Sequence, residues 1–388
     1  MNILVICHYG LYSNFKNSFV HNQIKEYVNK GCNVKVIIPI AFGKKGYSSK
    51  RFDKMYDNFV VDKVDIHTVR YLSLSTYGVR GFNHNSAIRR IKKYSSKIFD
   101  DFIPDIIHSH CLGFESEIGV YYKNKFKVPM VVTTHGTDCA VPIENGELDR
   151  IKSYMDKANR VVAVSSVLKS KIDTCNSATK TEFILNGFNT HYVRKSQKIP
   201  LTFMQVSNLI KQKKVDVTIK AFSKIHTNYP SSRLSIVGSG SEREYLERLT
   251  SELGLSDSVE FCGFIENDKV LELMAETQFF IMPSVREGFG IVYLEAMASR
   301  CVTVGTKGEG IADLIVNGKN GILVDADNIE QIVSNINKCI EDEVYIDTLI
   351  VNAKNSVDEL SWEHNAIKYL ELFKEAINEN KFNSEFTD

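Results

Sequence analysis

The chain has 388 residues, of which 43% are hydrophobic and 24% charged, and its formal net charge is +1. The length favours two domains, and the composition is that of a soluble globular protein. We expect no nucleic-acid partner. The charge is unevenly divided, because residues 1–197 carry 29 Lys and Arg against 17 Asp and Glu. A basic first half is typical of a surface that faces something anionic, such as a membrane or a phosphorylated acceptor. The alternative is that solvated surface charges are divided between the halves by chance.

The first residues, Met1–Cys7, are apolar but too short to span a membrane, and no basic leader precedes them. They predict a first strand and not a signal peptide. The eight cysteines are scattered, with no Cys-x-x-Cys pair. This pattern favours reduced thiols in a cytoplasmic protein and argues against zinc or a disulfide framework. We expect no metal and no cofactor.

The first half alternates apolar runs with amphipathic helical patterns. The predicted strands are residues 2–7, 33–39, 105–110, 128–135, 160–165 and 181–186. This alternation predicts a parallel sheet covered by helices. Residues 47–81 are less regular and are predicted to carry loops. The basic helix 84–99 could lie on an anionic membrane or pack on its own sheet.

A polar linker, residues 190–200, precedes a second series of alternating strands and helices. The predicted fold is therefore α/β, with two doubly wound Rossmann-like domains facing each other across a cleft. We expect domains at 1–195 and 196–360, and a helix at 361–380 that crosses back to the first domain. The last residues, 378–388, are predicted to fray.

Two carboxylates, Glu287 and Glu295, lie eight positions apart around the turn Gly288-Phe289-Gly290. A buried strand is predicted before this turn, and a helix is predicted from Ile291 onward. Such a turn exposes backbone N–H groups at the positive end of a helix, where a phosphate or sugar oxygen binds. The two acids can accept hydrogen bonds from hydroxyl groups. The pattern predicts a nucleotide-sugar site, and a capping acid with an exposed turn acid is the alternative.

Two further strand-to-helix turns lie in the second half. The first carries Lys211, Lys213 and Lys214, which suits a diphosphate, although a solvated lysine run is the alternative. The second contains Gly238 and Gly240, which match only half of a dinucleotide fingerprint. We interpret it as a tight turn near the ligand.

In the first half, His135 ends a predicted strand, with a loop histidine in a local capping role as the alternative, and Gly10 follows the first strand. Glycine lets a backbone approach an anion closely. His108 and His110 lie on one face of another strand. Because no third ligand has suitable spacing, we interpret them as structural or as cleft lining and not as a metal site.

Together these motifs resemble the glycogen-synthase and mannosyltransferase-like family of retaining glycosyltransferases (glycosyltransferase family 4), which have the two-domain GT-B fold. The most specific likeness is Glu287 to Glu295 within Pro-Ser-x-x-Glu-Gly-Phe-Gly. The Lys213 loop, residues 236–240 and 259–264, and Thr134-His-Gly136 with Asn186-Gly187 support it. The resemblance covers nearly the whole chain.

The resemblance implies a role for each candidate residue. Glu287 and the backbone of Gly288, Phe289, Gly290 and Ile291 would hold the donor sugar and diphosphate, and Glu295 would bind the ribose hydroxyls. Lys213 would neutralise the leaving diphosphate. His135 would lie beside the donor sugar, Gly263 and Phe264 would line the base pocket with Gly238 nearby, and Gly10 would close over the diphosphate. Glu287, His135 and Lys213 are the expected catalytic residues, and the family typically needs no metal.

Asn208 is a departure from the family pattern. The family usually has arginine there, and a neutral amide gives a hydrogen bond about half as strong as a charged one. Lys211, Lys214 or Arg286 are candidates to replace it. The same position raises the alternative of a nucleotide-sugar-binding pseudo-enzyme.

We therefore predict a metal-independent retaining glycosyltransferase that uses a nucleotide diphosphate sugar, with UDP preferred over GDP. The acceptor would be a hydroxyl of a glycan or lipid-linked glycan in bacterial surface polysaccharide synthesis. The protein would be cytoplasmic, with peripheral contact at the inner face of the membrane. The alternatives are a sugar-nucleotide epimerase or phosphorylase of the same fold, and an oxidoreductase using the Gly-Ser-Gly turn.

Overall fold

The computed structural model describes residues 1–7, 18–42, 54–72, 80–189 and 196–385. The chain forms two compact units. One consists of Met1–Gly187 and Trp362–Asp388, and the other of Phe188–Ser361. Each unit contains one mainly parallel sheet with helices between its strands.

The first unit has an eight-stranded sheet with the order β3-β4-β2-β1-β5-β6-β7-β8. Its strands are Asn2–Ile6 (β1), Asn33–Phe42 (β2), Tyr56–Val61 (β3), Val64–Leu72 (β4), Ile106–His110 (β5), Met130–Thr134 (β6), Arg160–Ala163 (β7) and Thr181–Phe183 (β8). The central strands β1, β5 and β6 are buried along nearly their whole length, as expected for a parallel sheet covered on both faces. The helices are Phe19–Asn29, Arg80–Ile98, Phe114–Phe126, Ala140–Glu144, Leu148–Met155, Ser166–Asp173 and Trp362–Glu385.

The prediction of loops across residues 47–81 is wrong for the part that the structure describes. Strands β3 and β4 form an antiparallel hairpin at the edge of the sheet. Its two turn residues, Asp62 and Lys63, both have positive φ, at 50° and 64°. Tight hairpin turns of this kind are usually marked by Asn-Gly or Asp-Gly. Asp-Lys does not carry that signal, so the hairpin was not recognisable from the sequence.

The second unit has a six-stranded sheet with the order β11-β10-β9-β12-β13-β14. Its strands are Ile199–Val206 (β9), Arg233–Val237 (β10), Val259–Gly263 (β11), Thr277–Ile281 (β12), Val302–Thr306 (β13) and Ile322–Val324 (β14), all paired in parallel. The α-helices are Val215–Asn228, Arg243–Glu252, Asn267–Glu276, Ile291–Ala298, Ile329–Glu341 and Glu343–Val357, and 3-10 turns lie at Lys211–Lys213 and Gly310–Asp313. The carboxyl ends of all six strands therefore meet at one edge, where ligands of such sheets bind.

The last helix, Trp362–Glu385, is part of the first unit. Its apolar stripe packs into the core around β1 and the helix Phe19–Asn29, through Tyr369 and Phe373 among others. The expected fraying from residue 378 is wrong as far as residue 385, because the helix continues to that point. Burial of the stripe supplies the stabilisation that an isolated helix lacks.

The basic helix Arg80–Ile98 packs its apolar side within the first unit. Ile88, Ile91 and Ile98 are buried, whereas Arg89 and Lys92 are exposed, as are Lys93 and Lys97. Within the described ranges, no helix combines the length and the apolarity needed to cross a membrane.

Candidate functional site

Glu287 lies in the loop between β12 and the helix Ile291–Ala298, at the carboxyl edge of the second sheet. Its Oε2 forms an ion pair with Lys213 Nζ and accepts a hydrogen bond of 3.4 Å from Ser284 Oγ. Both charged side chains are mostly buried, with 20% of Lys213 and 14% of Glu287 exposed. The structure therefore brings together two of the residues predicted to carry the chemistry.

The lysine loop follows β9 and is held in place by two hydrogen bonds. Gln205, which is fully buried, donates from Nε2 to the Lys213 carbonyl at 2.8 Å. The backbone N–H of Val285 donates to the Gln212 carbonyl at 2.8 Å. This second bond joins the lysine loop directly to the glutamate loop. The hydrogen bonds of the loop backbone, together with the ion pair to Glu287, therefore fix the position of the Lys213 ammonium group.

Glu309 holds the glutamate loop, and sequence reasoning missed it. Its two carboxylate oxygens accept hydrogen bonds from the backbone N–H groups of Arg286 (3.0 Å) and Glu287 (2.8 Å). Arg286 has a φ of 58°, a conformation that a non-glycine residue adopts rarely. A usable signal did exist, because Glu309 follows β13, the strand next to β12, and so reaches the same edge of the sheet.

The helix Ile291–Ala298 begins at Gly290, whose φ is 78°. A Cβ at Gly290 would lie 2.7 Å from the Tyr293 ring, so only glycine fits. Phe289 is buried and anchors the turn. In the described part of the chain, the N–H groups of Gly288, Phe289, Gly290 and Ile291 find no acceptor. Free N–H groups at a helix N-terminus form a binding site for an anionic oxygen.

Glu295 lies in the same helix and differs from Glu287 in its surroundings. Although part of the residue reaches the surface, burial of its carboxyl group raises the pKa of Glu295 to about 7. Asn267 Nδ2 donates a hydrogen bond of 3.4 Å to its Oε1, and this contact acts to lower the pKa of Glu295. Glu295 therefore has acceptor capacity to offer a ligand hydroxyl.

Gly238 and Asn208 lie at the ends of β10 and β9. Gly238 has a φ of 130°, and a Cβ there would lie 1.9 Å from the Ser207 carbonyl oxygen. Close packing against the β9 loop thus explains this glycine without a ligand. Asn208 is exposed. Of the cations that could replace the family arginine missing at this position, Lys214 forms an ion pair with Asp327, with 2.8 Å between Nζ and Oδ1.

Lys211 and Lys214 line a separate pocket with Asp216 and Tyr245. Arg286 is exposed in the glutamate loop. Gly263 ends β11 with a φ of 67°, and its carbonyl accepts from the Gly238 N–H at 2.8 Å. Phe264, next to it, is 71% exposed and presents an open aromatic face.

His135 belongs to the first unit and directly follows β6. Its Nε2 is 3.0 Å from His110 Nδ1, and burial lowers the pKa of His135 to about 4, so that the ring is neutral at physiological pH. Burial also lowers the pKa of His110. His108 is fully buried and bonded to Thr133 Oγ1 at 2.8 Å, which makes it structural.

Asp138 orients the loop that carries His135, and sequence reasoning did not single it out. Its Oδ1 accepts from the N–H groups of His135 (3.0 Å) and Gly136 (2.9 Å). Its Oδ2 accepts from the Leu112 N–H at 2.8 Å, which ties the loop after β5 to the loop after β6. Gly10, the remaining predicted residue, lies outside the described residues. Among those described, no group of three or more His, Cys, Asp or Glu is arranged to hold a metal ion.

Two family descriptions match the chain in succession. Residues 17–192 match Glycosyltransferase Family 4, and residues 191–356 match Glycosyl transferases group 1. One sequence relative is an uncharacterised glycosyltransferase of Methanocaldococcus jannaschii. It is 26% identical over 322 residues, which cover 82% of this chain and 87% of the relative.

Solved structures show the same fold. A sucrose-phosphate synthase from Thermosynechococcus elongatus has a TM-score of 0.80 at 18% identity, covering 97% of this chain and 98% of the other. The Anabaena protein HepE, solved in complex with UDP and glucose, has a TM-score of 0.75 at 19% identity, covering 97% of this chain and 100% of the other. With two parallel-sheet α/β units and both family matches, the chain belongs to the family-4-like glycosyltransferases of the GT-B fold.

Proposed function

We propose that this protein transfers a sugar from a nucleoside diphosphate sugar to a hydroxyl group, with retention at the anomeric carbon. The observation that carries the proposal is the Lys213–Glu287 ion pair beside the unpaired N–H groups of Gly288–Ile291. When the bond to the sugar breaks, negative charge develops on the diphosphate. A lysine and a helix N-terminus held in place beforehand stabilise that charge without reorganisation.

In the proposed site, Glu287 binds the donor sugar and releases Lys213 to the diphosphate. Glu295 accepts hydrogen bonds from the ribose, and the exposed Phe264 with Gly263 receives the base. His135 stays a catalytic prediction that rests on the family resemblance. Its neutral ring suits a reaction through an oxocarbenium-like state, because an imidazolium would repel that cation.

UDP is the proposed nucleotide. The UDP complex of HepE supports this choice, although that likeness is one of fold. The cationic roles are assigned to Lys213 and to backbone N–H groups, so the reaction is proposed to be metal-independent. A melting-temperature screen against UDP-, GDP- and ADP-sugars, repeated with EDTA, tests both statements. A larger shift with GDP-sugars, or a requirement for a divalent ion, would contradict them.

Substitution tests the site itself. We expect Lys213→Ala and Glu287→Ala each to lower sugar transfer at least a hundredfold, since removing one stabilising group from such a site typically costs about that much. The measurement is nucleotide release from the donor identified in the screen. Lys224→Ala is the matched control, because Lys224 also pairs with a glutamate, Glu330, but on the exposed surface. Near-normal transfer by either site variant would exclude the assignment.

We also propose that the protein is cytoplasmic and contacts the anionic inner face of the membrane while acting on a glycan or glycolipid acceptor of surface polysaccharide synthesis. The contact would be electrostatic only, because the apolar side of the basic helix is buried and Arg89, Lys92, Lys93 and Lys97 face outward. Vesicles with anionic lipid should bind the protein at low salt and release it as salt rises. Equal binding to neutral vesicles would contradict the proposal.

A further inference from the structure

Two histidines of the first unit meet edge to edge at neighbouring strands. His110 ends β5 and His135 directly follows β6, and the two strands pair in parallel. His110 Nδ1 and His135 Nε2 are 3.0 Å apart, the ring centroids are 5.2 Å apart, and the ring planes differ by 11°. The N–H group and the lone pair of an imidazole both lie in the plane of the ring, so this geometry is that of a hydrogen bond. One ring donates and the other accepts.

Both rings of this pair are neutral. Burial lowers the pKa of His135 to about 4, and it also holds the pKa of His110 well below its usual value. A neutral imidazole has one N–H group and one lone pair. Among the described residues, Nδ1 of His135 and Nε2 of His110 have no hydrogen-bond partner, and both atoms are buried. The bond between the two rings is therefore the polar contact that selects the tautomer of His135.

The backbone and the ring of His135 are held by different groups. Asp138 accepts a hydrogen bond of 3.0 Å from the His135 N–H and so fixes the main chain. The ring contacts His110 through Nε2, and Phe19 packs edge-on against it at a centroid distance of 4.9 Å. An aromatic contact alone lets an imidazole turn about its last torsion angle, because that torsion has a broad energy profile. The hydrogen bond to His110 therefore selects the orientation of the ring.

The partner of His135 also decides its charge. A carboxylate in the place of His110 would orient the ring too, but it would favour the imidazolium form and raise the pKa of His135. A second neutral imidazole orients the ring without adding charge. Asp138, in the loop after β6, acts to raise the pKa of His135, and this effect is smaller than that of burial. His108, on β5, acts to lower the pKa of His110, and Tyr369 of the last helix faces His108.

We propose that His110 is a positioning residue, which holds the neutral imidazole of His135 in the one orientation in which it acts on the donor sugar. The inference rests on the proposed transferase function, in which His135 is a catalytic residue. His110 is 1% exposed whereas His135 is partly exposed, so contact with a substrate is left to His135. When the hydrogen bond is lost the ring can turn, and the cost falls on the rate of transfer and not on donor binding.

NMR of the ring nitrogens in histidine-labelled protein tests the pairing directly, because their shifts distinguish an N–H group, a bare nitrogen and an imidazolium. The signals of His135 are assigned by their loss in His135→Asn. At pH 7 we expect one neutral tautomer of His135 in the unsubstituted protein. The same tautomer should be found in His110→Asn, whose amide keeps a polar group near the position of Nδ1. His110→Phe should give averaged tautomers, and His110→Asp should give the imidazolium.

Kinetic measurements test whether the orientation matters for transfer. With UDP-glucose as the probe and UDP release as the measurement, His110→Phe should lower kcat about tenfold or more and leave KM within about twofold. His110→Asn should recover most of the loss. His110→Asp should be least active at pH 6 and gain activity as the pH rises, because deprotonation restores the neutral ring. His226→Phe is the matched control, since it removes a histidine bonded to Ser232 in the second unit, and it should change neither constant.

Three results would overturn the proposal: a single tautomer of His135 that persists in His110→Phe, an unchanged kcat in that variant, or a His110→Asn variant no better than His110→Phe. The Asn and Asp variants are nearly equal in shape, so they remain informative if His110→Phe does not fold, and identical pH profiles for the two would also contradict the proposal. UDP release by the unsubstituted protein tests the donor separately. Without it the proposed function is wrong, while the ring spectra alone decide whether His110 orients His135.

Discussion

Glu115 and Glu295 are buried acids, one in each unit, and burial raises the pKa of both to about 7. For a carboxylic acid this is the less usual direction. The folded state binds the proton more tightly than the unfolded chain does. The protonated acid therefore contributes its full stabilisation of the fold below the ordinary pKa of about 4.5, and this contribution is lost as the pH rises to about 7. Both residues therefore lower the stability of the protein at neutral and alkaline pH, a cost that functional sites often carry.

Glu115→Gln should make the first unit more stable at pH 8 and should have little effect at pH 5. The pKa shift corresponds to about 3 kcal/mol at pH 8, or on the order of 5 °C in melting temperature. Differential scanning calorimetry at the two pH values measures the effect. Glu375→Gln provides the exposed control. A variant less stable than the unsubstituted protein at pH 8 would show that Glu115 is compensated in the folded state.

Glu295 leads to a prediction about binding. If the ionised carboxylate accepts the ribose hydroxyls, the affinity for UDP-glucose must fall as pH drops through about 7. From pH 8 to pH 6 the Kd should rise about tenfold, because the ionised fraction of a group with a pKa of about 7 falls by that factor. Calorimetric titration measures it. Glu295→Gln should bind more weakly at pH 8 and show no such pH dependence, and a pH dependence that survives in this variant would exclude Glu295 as the cause.

At the scale of elements, the proposed donor site is two strand-to-helix loops joined to each other. The strands, the glycine turn and the helix after it follow from local sequence, since apolar runs, a glycine at positive φ and helix formers each have short-range signals. The contacts that join the two loops have no such short-range signal. The hydrogen bonds from Val285 to Gln212, and from the N–H groups of Arg286 and Glu287 to Glu309, join residues that are 22 to 73 positions apart.

Glu309→Ala should weaken donor binding without unfolding the second unit. The substitution removes a charged acceptor from two backbone N–H groups, and hydrogen bonds to charged groups contribute about 1.5–3 kcal/mol. We expect the KM for the donor to rise at least tenfold, while the melting temperature without ligand changes little. Glu330→Ala, a carboxylate exposed on another helix, is the control. An unchanged KM would show that the loop holds its shape without Glu309.

At the scale of the whole molecule, the chain leaves the first unit after Gly187 and returns to it at Trp362. The amphipathic pattern of the last helix is visible in the sequence, but its packing partner is not. Phe373 packs against Tyr27 and His108, with ring centroids 5.7 and 5.2 Å away. The helix thereby completes the core of the first unit.

Phe373→Ala should destabilise the first unit by about 3–5 kcal/mol, the usual cost of removing a buried phenylalanine ring. The stabilisation by UDP should persist, because most of the residues proposed to bind the donor, among them Lys213 and Glu287, lie in the second unit. Calorimetry with and without UDP separates the two effects. Phe382→Ala, at a position 62% exposed on the same helix, should be nearly neutral. Equal destabilisation by both substitutions would contradict the assigned packing.

The sequence by itself determined the α/β class, most strands and helices, and the choice of Glu287 and Lys213 as candidate residues on strand-to-helix loops, because each depends on residues close in the chain or on a family motif. It also pointed to the fold through that motif. Only the tertiary structure decided the antiparallel hairpin, the tasks of Asp138 and Glu309, and the uncompensated burial of Glu115. Each of these arises where distant strands bring their carboxyl ends to one edge, and burial and partnership at that edge are properties of the packed sheet.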